Sequence, residues 1–363
     1  MGNISYSQMK IRETANSFRK LYYIYSGKAG DNVVGEQLLE TANLLEQIIG
    51  LENKWENFDR ENTIKIKKLL KQKGILLESI DVLRKANGRK ELVIKVRTLR
   101  NQCIQTLELA AFIGQFFSCR FVPAPGSRMF VSNQLEEYVI EESPDYYTMT
   151  GVETRCKDGG RICGDSYSYI NNNDGKTMVC ICDGMGAGIE AAKTSGMVVE
   201  MLEEFFEAGF SEKTGAKLIN SAMASCNEDN PFTLDAAVFD LYDGTCNMVK
   251  YGAMASYIKK ETAVDIVKTY SMPAGVFDNI DPEVQSIAAE DGDYFIMVSD
   301  GVVDALPFYD KEQQMADIIE KIPKSNPKKM AERIMEEVIF YLGNTLPDDM
   351  TVMVTGIWKS WNT

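Results

Sequence analysis

The stretch 179–188 constrains the fold of this chain more than any other. Four apolar residues are followed by Asp183-Gly184 and then by a glycine-containing loop that leads into a helical pattern. A similar pattern recurs at 294–301, where an apolar run ends in Ser299-Asp300-Gly301. Apolar runs of this length, bounded by turn residues, are typical of buried strands. The sequence therefore predicts two buried strands that each end in a carboxylate.

Two further acidic points accompany these strands, Asp165 after Gly164 and Asp348-Asp349 before Met350. A single Asp-Gly is more often a tight turn than a binding site. Four such points in one fold are different, because clustered carboxylates repel one another unless they share cations. Ligand sets made only of oxygen favour Mg²⁺ or Mn²⁺. Two such ions could hold and deprotonate a bridging water for attack on phosphorus.

The absence of histidine narrows the chemistry further. It excludes Ser-His-Asp and Cys-His nucleophile systems and every metal site built on imidazole. The eight cysteines contain no C-x-x-C pair, which argues against a disulfide framework or a zinc site and predicts buried free thiols.

Charge and hydropathy indicate the class of protein. The formal net charge is −14, and the acidic excess lies beyond residue 100, which argues against nucleic-acid binding. No apolar run approaches the roughly 18 to 20 residues that a membrane span needs, and no secretory signal pattern opens the chain. We expect a soluble, cytoplasmic protein, with membrane association only through an upstream segment or a partner.

The pattern changes near residue 145 and predicts two domains, 1–145 and 146–363. In the first, an apolar stripe at 38–49 predicts a helix that belongs either to the core or to a dimer interface. Strands at 75–83 and 91–98 flank the hairpin signal Asn87-Gly88. A helix at 99–117, which we expect Pro123 to end, completes a helix-rich α/β unit.

The second domain is predicted to be rich in strands, with helices inserted in pairs. This order favours an α+β sandwich over an alternating βαβ sheet. The predicted strands are 148–155, 165–170, 176–182, 235–242, 246–251, 255–260, 266–270, 284–288, 293–299 and 351–358. The predicted helices are 189–208, 212–225, 311–321 and 327–342.

A nucleotide-binding kinase or ATPase is the less favoured interpretation of the glycine-rich stretch. Gly184, Gly186 and Gly188 do not follow the G-x-G-x-x-G spacing, and no Gly-Lys-Ser/Thr follows them. Arg161, four residues before Asp165, either holds a substrate phosphate or is a solvated loop residue.

In this order, the acidic motifs resemble the motif series of PPM/PP2C-type serine/threonine phosphatases, and within that family the stage II sporulation protein E branch. The resemblance covers about residues 146–363, and upstream segments are similar to the regulatory region of that branch. The motifs are Gly164-Asp165-Ser166-Tyr167, Cys182-Asp183-Gly184-Met185-Gly186, Val298-Ser299-Asp300-Gly301 and Asp348-Asp349-Met350-Thr351.

The resemblance implies an αββα sandwich that holds two Mn²⁺ or Mg²⁺ ions. Asp183 would bridge both ions and Gly184 would offer its carbonyl oxygen. Asp165, Asp300 and Asp348 would complete the ligand set, with Asp349 as the alternative to Asp348. The catalytic carboxylates would be Asp165, Asp183 and Asp300.

The function implied by the resemblance is hydrolysis of phosphoserine or phosphothreonine in a protein. The substrate would be a phosphorylated anti-sigma-factor antagonist, so that dephosphorylation activates a sigma factor during sporulation. A homodimer through the N-terminal region is the implied assembly. The alternative is a catalytically weak regulatory or scaffold protein on the same fold.

Overall fold

The computed structural model separates the chain into two compact units. One comprises Met1–Asn16 with Asn43–Asp145, and the other comprises Ser17–Ala42 with Tyr146–Thr363. Most of residues 17–42 lie outside the described residues. The structure describes residues 11, 14–20, 22, 38–39, 41–43, 45, 54–56, 59–85, 88–99, 102–157, 160, 162–172, 174–185, 188–225, 231–277, 280–307, 309–342 and 346–360.

From Lys54 onward, the described residues of the first unit form an antiparallel sheet that is covered by two helices. Its five strands have the spatial order β1-β2-β3-β7-β5, and β4 pairs with β6 in a small second sheet. The strands are β1 (Lys54–Glu56), β2 (Ile75–Arg84), β3 (Lys90–Thr98), β4 (Ile104–Gln105), β5 (Phe121–Pro123), β6 (Phe130–Val131) and β7 (Glu136–Glu142). The helices are α1 (Arg60–Gln72) and α2 (Thr106–Phe117).

Alternating side chains of β2, β3 and β7 form the core of this unit with the apolar faces of both helices. The predicted hairpin is confirmed. The predicted helix at 99–117 is wrong in its first part, because Ile104 and Gln105 pair with β6 and the helix begins only at Thr106. It ends at Ser118, which adopts the left-handed conformation (φ 56°), before Pro123, which lies in β5. The prediction that this domain is rich in helices depends mainly on residues 1–53, which include the apolar stripe at 38–49. Most of residues 1–53 lie outside the described residues.

The second unit contains two five-stranded antiparallel sheets. Sheet I has the spatial order β15-β12-β11-β10-β9, and sheet II has the order β14-β13-β16-β17-β8. The strands of sheet I are β9 (Asp165–Asn171), β10 (Lys176–Gly184), β11 (Phe232–Asp240), β12 (Thr245–Tyr251) and β15 (Glu283–Ala288). Those of sheet II are β8 (Tyr146–Arg155), β13 (Ser256–Lys259), β14 (Val264–Val267), β16 (Asp293–Val298) and β17 (Met350–Lys359).

In the described part of 146–363, the helices of this unit are α3 (Ile189–Glu207), α4 (Glu212–Ser225), α5 (Asp300–Asp304), α6 (Lys311–Lys321) and α7 (Pro327–Ile339). Helices α3 and α4 pack on the outer face of sheet I, whereas α6 and α7 pack on the outer face of sheet II. The inner faces of the sheets pack against each other. The predicted αββα sandwich is confirmed.

Alternation along single strands explains this layering. In β10, Val179 and Ile181 face the other sheet, while Cys180 and Cys182 pack under the helices. Every residue of β16 is buried. Phe295 and Met297 face sheet I, whereas Tyr294, Ile296 and Val298 pack under the helices on the outer face. Strands buried on both faces read as continuous apolar runs, which is the pattern seen in the sequence.

Several predicted boundaries in this unit are wrong, and the strand expected at 235–242 is β11 at Phe232–Asp240. Residues 266–270 do not form one strand, because β14 spans Val264–Val267 and the Tyr270 backbone N–H bonds instead to the Glu283 side chain. Helix α7 ends at Ile339, not at residue 342. Asp300 is the first residue of the short helix α5, not the tip of a strand. Within the described residues, no helix is long and apolar enough to cross a bilayer.

Candidate metal centre

Two of the predicted ligands lie side by side in sheet I. Asp165 begins β9 and Asp183 lies near the end of β10, and the two are direct partners in the antiparallel register. Opposite residues of an antiparallel pair project to the same face of the sheet. Because Asp183 is two residues from Ile181, which faces sheet II, both carboxylates belong to the layer between the sheets.

The other two predicted ligands flank strands of sheet II at the same end of the sandwich. Asp300 follows β16, and Asp348 precedes β17, the neighbour of β16. A pair of hydrogen bonds closes this strand end: the Ser299 N–H donates to the Thr351 carbonyl oxygen (3.0 Å), and the Thr351 N–H donates to Ser299 Oγ (2.9 Å).

One hydrogen bond joins the two sheets at the site. Thr351 Oγ1 in sheet II donates to Asp165 Oδ2 in sheet I over 2.6 Å. Both residues are buried, at 0% and 7% exposed. A buried hydrogen bond to one oxygen fixes the rotamer of the carboxylate, so Asp165 is oriented before any ligand arrives.

Burial and mutual repulsion dominate the electrostatics of the group. Burial, reinforced by the charges of Asp165, Asp300 and Asp348, raises the pKa of Asp183 to about 8. Burial also raises the pKa of Asp165 to about 6, against the hydroxyl bonds from Thr351 and Ser299 that lower it. The pKa of Asp300 is raised by burial first and then by Asp348.

These shifts have one common physical meaning. Like charges held together out of water favour the protonated forms, and a cation would reverse that preference. The donors are carboxylate oxygens, which fit hard divalent ions such as Mg²⁺ and Mn²⁺. No three of the four predicted carboxylates have oxygen atoms that all lie within 4.8 Å of one another. Among the described residues, one group of three acidic or thiol side chains does meet this distance, and it consists of Cys156, Cys163 and Asp349.

Asp348 and Asp349 lie in different surroundings. The carboxylate of Asp349 accepts two backbone N–H bonds, from Lys157 (2.8 Å) and from Gly164 (2.7 Å). Asp348 is half exposed, and its charge acts on both Asp183 and Asp300. The geometry thus favours Asp348 as the ligand and Asp349 as the residue that ties the segment before β9 to the start of β17.

Gly184 is required by close packing. A Cβ atom at this position would lie 2.4 Å from the carbonyl oxygen of Ala191 in α3. Only glycine lets the end of β10 approach the helix backbone so closely. Arg161, the predicted phosphate-binding residue, lies outside the described residues.

A cleft of about 160 Å³ opens beside the carboxylates. Asp183 and Asp300 contribute to its wall, together with the loop 252–254 and Pro273. Asp235 of β11 also lines it, one pleat deeper in the sandwich than Asp183, because its partner on β10 is Ile181.

A buried ion pair that was not predicted from the sequence lies beneath this cleft. Lys250 of β12, fully buried, contacts Asp235 and also donates to Ser256 Oγ (2.7 Å) and to the Met254 carbonyl oxygen (2.8 Å). Ser256 lies in sheet II and donates to Asp235 Oδ2 over 2.6 Å, so the network links the two sheets. Asp235 Oδ1 is buried without a partner among the described residues. The signal was available, since each charge interrupts an otherwise apolar strand.

Comparisons with known proteins agree with this architecture. The family model for Stage II sporulation protein E (SpoIIE) matches residues 173–357, just over half of the chain. Stage II sporulation protein E of Bacillus subtilis is 33% identical over 227 residues, covering 62% of this chain and 27% of that protein. The protein of the same name from Priestia megaterium is 35% identical over 211 residues, covering 58% of this chain and 36% of that protein. The chain thus spans about a quarter to a third of the length of these relatives.

Solved structures give the same result. The PP2C phosphatase domain of SpoIIE from Bacillus subtilis, with a fragment of its regulatory domain, superposes with a TM-score of 0.70 at 26% identity, covering 91% of this chain and 96% of that one. The phosphatase domain alone, in a crystal form without domain swapping, gives 0.51 at 32% identity and covers 61% and 96%. The RsbU and RsbW domains of Rv1364c from Mycobacterium tuberculosis share the fold, with a TM-score of 0.54 at 16% identity over 59% of this chain and 61% of that one.

Proposed function

Because this chain belongs to the Stage II sporulation protein E family and carries its PP2C-type phosphatase domain, we propose that it hydrolyses phosphoserine or phosphothreonine in a protein substrate. One electrostatic observation carries the proposal. The pKa of Asp183 is raised to about 8 by burial and by the negative charges of Asp165, Asp300 and Asp348, which come from both sheets. A domain that maintains such repulsion at the mouth of a cleft is built to hold cations there.

The residues that would hold two Mn²⁺ or Mg²⁺ ions are those that the family resemblance implies: Asp165, Asp183, the Gly184 carbonyl, Asp300 and Asp348. Such ions, when bound, generate a nucleophile from water and neutralise phosphate charge. The chain supplies the orientation. Thr351 fixes the Asp165 carboxylate, and the cleft bounded by the loop 252–254 receives the phosphorylated side chain.

For the substrate we propose a phosphorylated anti-sigma-factor antagonist, so that dephosphorylation activates a sigma factor during sporulation. Membership of the family supports this choice. By the same reasoning, we propose that the first domain regulates the phosphatase and pairs two chains. Sedimentation of the full chain, compared with residues 146–363, tests the pairing.

The decisive experiment measures phosphate release from a phosphoserine-bearing anti-sigma-factor antagonist, with Mn²⁺ and with chelator. We expect turnover that requires Mn²⁺, that is lost in Asp183→Ala, and that survives in Glu336→Ala, an exposed carboxylate on α7. Absence of turnover with every metal would contradict the proposal and favour the scaffold alternative. Turnover of other phosphoproteins but not of the antagonist would overturn the substrate alone.

A further inference from the structure

A second group of ligand-forming side chains lies next to the carboxylate cluster and has no part in the proposed reaction. Cys156, Cys163 and Asp349 each offer one ligand atom, and these three atoms lie within 4.8 Å of one another. Neither thiol takes part in a disulfide. The expectation that the cysteines are buried core thiols does not apply to these two, which are both half-buried.

The strand register places the first and third members of the group opposite each other. Arg155 and Met350 are the last pair of the β8–β17 ladder, so the next residues beyond it are Cys156 and Asp349. The adjacent Lys157 N–H donates to Asp349 Oδ1 over 2.8 Å, which keeps the two segments together beyond the end of the ladder.

The other oxygen of the same carboxylate binds the backbone of the residue that follows the second thiol. Asp349 Oδ2 accepts the Gly164 N–H over 2.7 Å, which places Cys163, the preceding residue, against the group. Gly164 is packed closely there, since a Cβ atom would lie 3.1 Å from Asp349 Oδ2 and 3.3 Å from the Ala191 Cβ. Three separate segments are therefore fixed around the cluster by backbone hydrogen bonds.

We propose that Cys156, Cys163 and Asp349 form a thiolate site for a soft divalent ion, Zn²⁺, separate from the all-oxygen centre. Ligands of a tetrahedral zinc site lie roughly 3.3–3.8 Å apart, given Zn–S and Zn–O distances of about 2.3 and 2.0 Å. Side-chain adjustments of about 1 Å bring the three atoms to that spacing. Solvent occupies the fourth position, as in other zinc sites with three protein ligands.

The chemistry of the donors separates this site from its neighbour. Thiolates select zinc, whereas carboxylate and carbonyl oxygens suit Mg²⁺ and Mn²⁺. The carboxylate of Asp349 can ligate a metal while it accepts its N–H bonds, because ligating carboxylates are ordinarily hydrogen-bonded in this way. Each thiol releases its proton to solvent as the ion binds.

Cobalt provides a direct test on the full chain. Co²⁺ replaces Zn²⁺ in thiolate sites and gives a near-ultraviolet charge-transfer band that carboxylate ligands do not give. We expect one equivalent of Co²⁺ to produce this band in the chelator-treated protein kept under a phosphine reductant, and Zn²⁺ to abolish it. Cys156→Ser and Cys163→Ser should each lose the band. Each should also reduce the zinc affinity by more than about 10-fold, because replacing even a residue that only hydrogen-bonds to a ligand costs at least that much.

Two control variants separate this proposal from the phosphatase. Asp183→Ala should keep the band although it loses hydrolysis, and Cys103→Ser, which changes an exposed thiol outside the group, should also keep it. Zinc content measured with a chromophoric chelator on the wild-type protein does not depend on any variant folding. Absence of the band in the wild type, its persistence in Cys156→Ser, or a Cys156–Cys163 disulfide that survives reductant would each overturn the proposal.

Discussion

Thr351 Oγ1 lies 2.6 Å from Asp165 Oδ2, and this hydrogen bond connects the last strand of sheet II to the first strand of sheet I. The bond reaches across 186 positions of sequence to orient one carboxylate of the proposed metal centre. Ligand sets in proteins depend on such supporting bonds nearly as much as on the ligands themselves.

Replacing Thr351 with valine should therefore weaken metal binding while preserving the fold. Valine has the shape of threonine but lacks the donor, so Asp165 loses one of its two hydroxyl partners. We expect the apparent Mn²⁺ affinity, measured by activity or by calorimetry, to fall about 10- to 100-fold. Thr355 lies on the same strand as Thr351, and its hydroxyl pairs with that of Thr150 in β8. Thr355→Val removes this pair and serves as the matched control, with metal affinity unchanged. Equal Mn²⁺ affinities for both variants would contradict the role given to Thr351.

The two adjacent acids before β17 should give opposite phenotypes. Asp349→Ala leaves two backbone N–H groups without their acceptor and should lower the free energy of unfolding by about 1–3 kcal/mol. Asp348→Asn should change unfolding by less than about 0.5 kcal/mol, as expected of a half-exposed residue. Its Mn²⁺ affinity should nevertheless fall by more than about 10-fold. Urea denaturation and metal titration of both variants check the assignment, and a destabilised Asp348→Asn with normal metal affinity would reverse it.

The raised pKa of Asp183, about 8, predicts proton release on metal binding. At pH 7 this carboxyl is mostly protonated in the metal-free protein, and a bound cation favours the charged form, so Mn²⁺ should displace about one proton. Calorimetry in two buffers of different ionisation enthalpy measures the number released. It should fall above pH 8 and should be smaller in Asp183→Asn. A release that does not depend on pH would argue against the raised pKa.

The same shift sets the sign of a stability change with pH. A carboxyl whose pKa is higher in the folded than in the unfolded protein stabilises the fold at low pH, and this contribution is lost as pH rises through the folded value. The metal-free protein should therefore lose stability between about pH 4 and pH 8, the range set by the ordinary value of 3.8 and the raised value. Saturating Mn²⁺ should remove most of that slope in urea denaturation. Stability that rises over this range in chelator would contradict the prediction.

The buried pair of Lys250 and Asp235 is suited to a double-mutant cycle. Lys250→Met should cost about 3–5 kcal/mol of unfolding free energy, because it leaves the Asp235 charge uncompensated in the interior. Adding Asp235→Leu should recover most of that loss, since two apolar side chains replace two buried charges. Urea denaturation of the two single variants and the double variant measures the coupling. Strictly additive losses would show that the two charges do not depend on each other.

The order of predicted strands and paired helices indicated an α+β sandwich for the phosphatase domain, and the family resemblance implied its αββα layers. The apolar run before Asp183 identified a buried strand, and two consecutive helices were predicted after it, at 189–208 and 212–225. Asp183 and Asp300 were found because each follows an apolar run, and Asp165 was found because it follows Gly164 at the start of a predicted strand.

The remaining features depend on register and on backbone contacts, which one-dimensional patterns do not contain. Nothing local separates Asp348 from Asp349, and only the two N–H donors that reach Asp349 distinguish them. Asp235 and Lys250 interrupt apolar strands, yet their pairing requires the β11–β12 register. The helix expected from Leu99 begins at Thr106, because tertiary pairing with β6 overrides the helical pattern before it.

The position of β17 in its sheet has a consequence for synthesis. Among the described residues, the strand at 350–359 is the last in sequence order, yet it lies between β16 and β8, and β8 is the first described strand of the same unit. Sheet II therefore cannot close while residues 350–359 are still inside the ribosome, and Asp165 cannot gain its Thr351 partner. The carboxylate centre can therefore assemble only after residues 350–359 have left the ribosome, although Asp165 and Asp183 emerge much earlier.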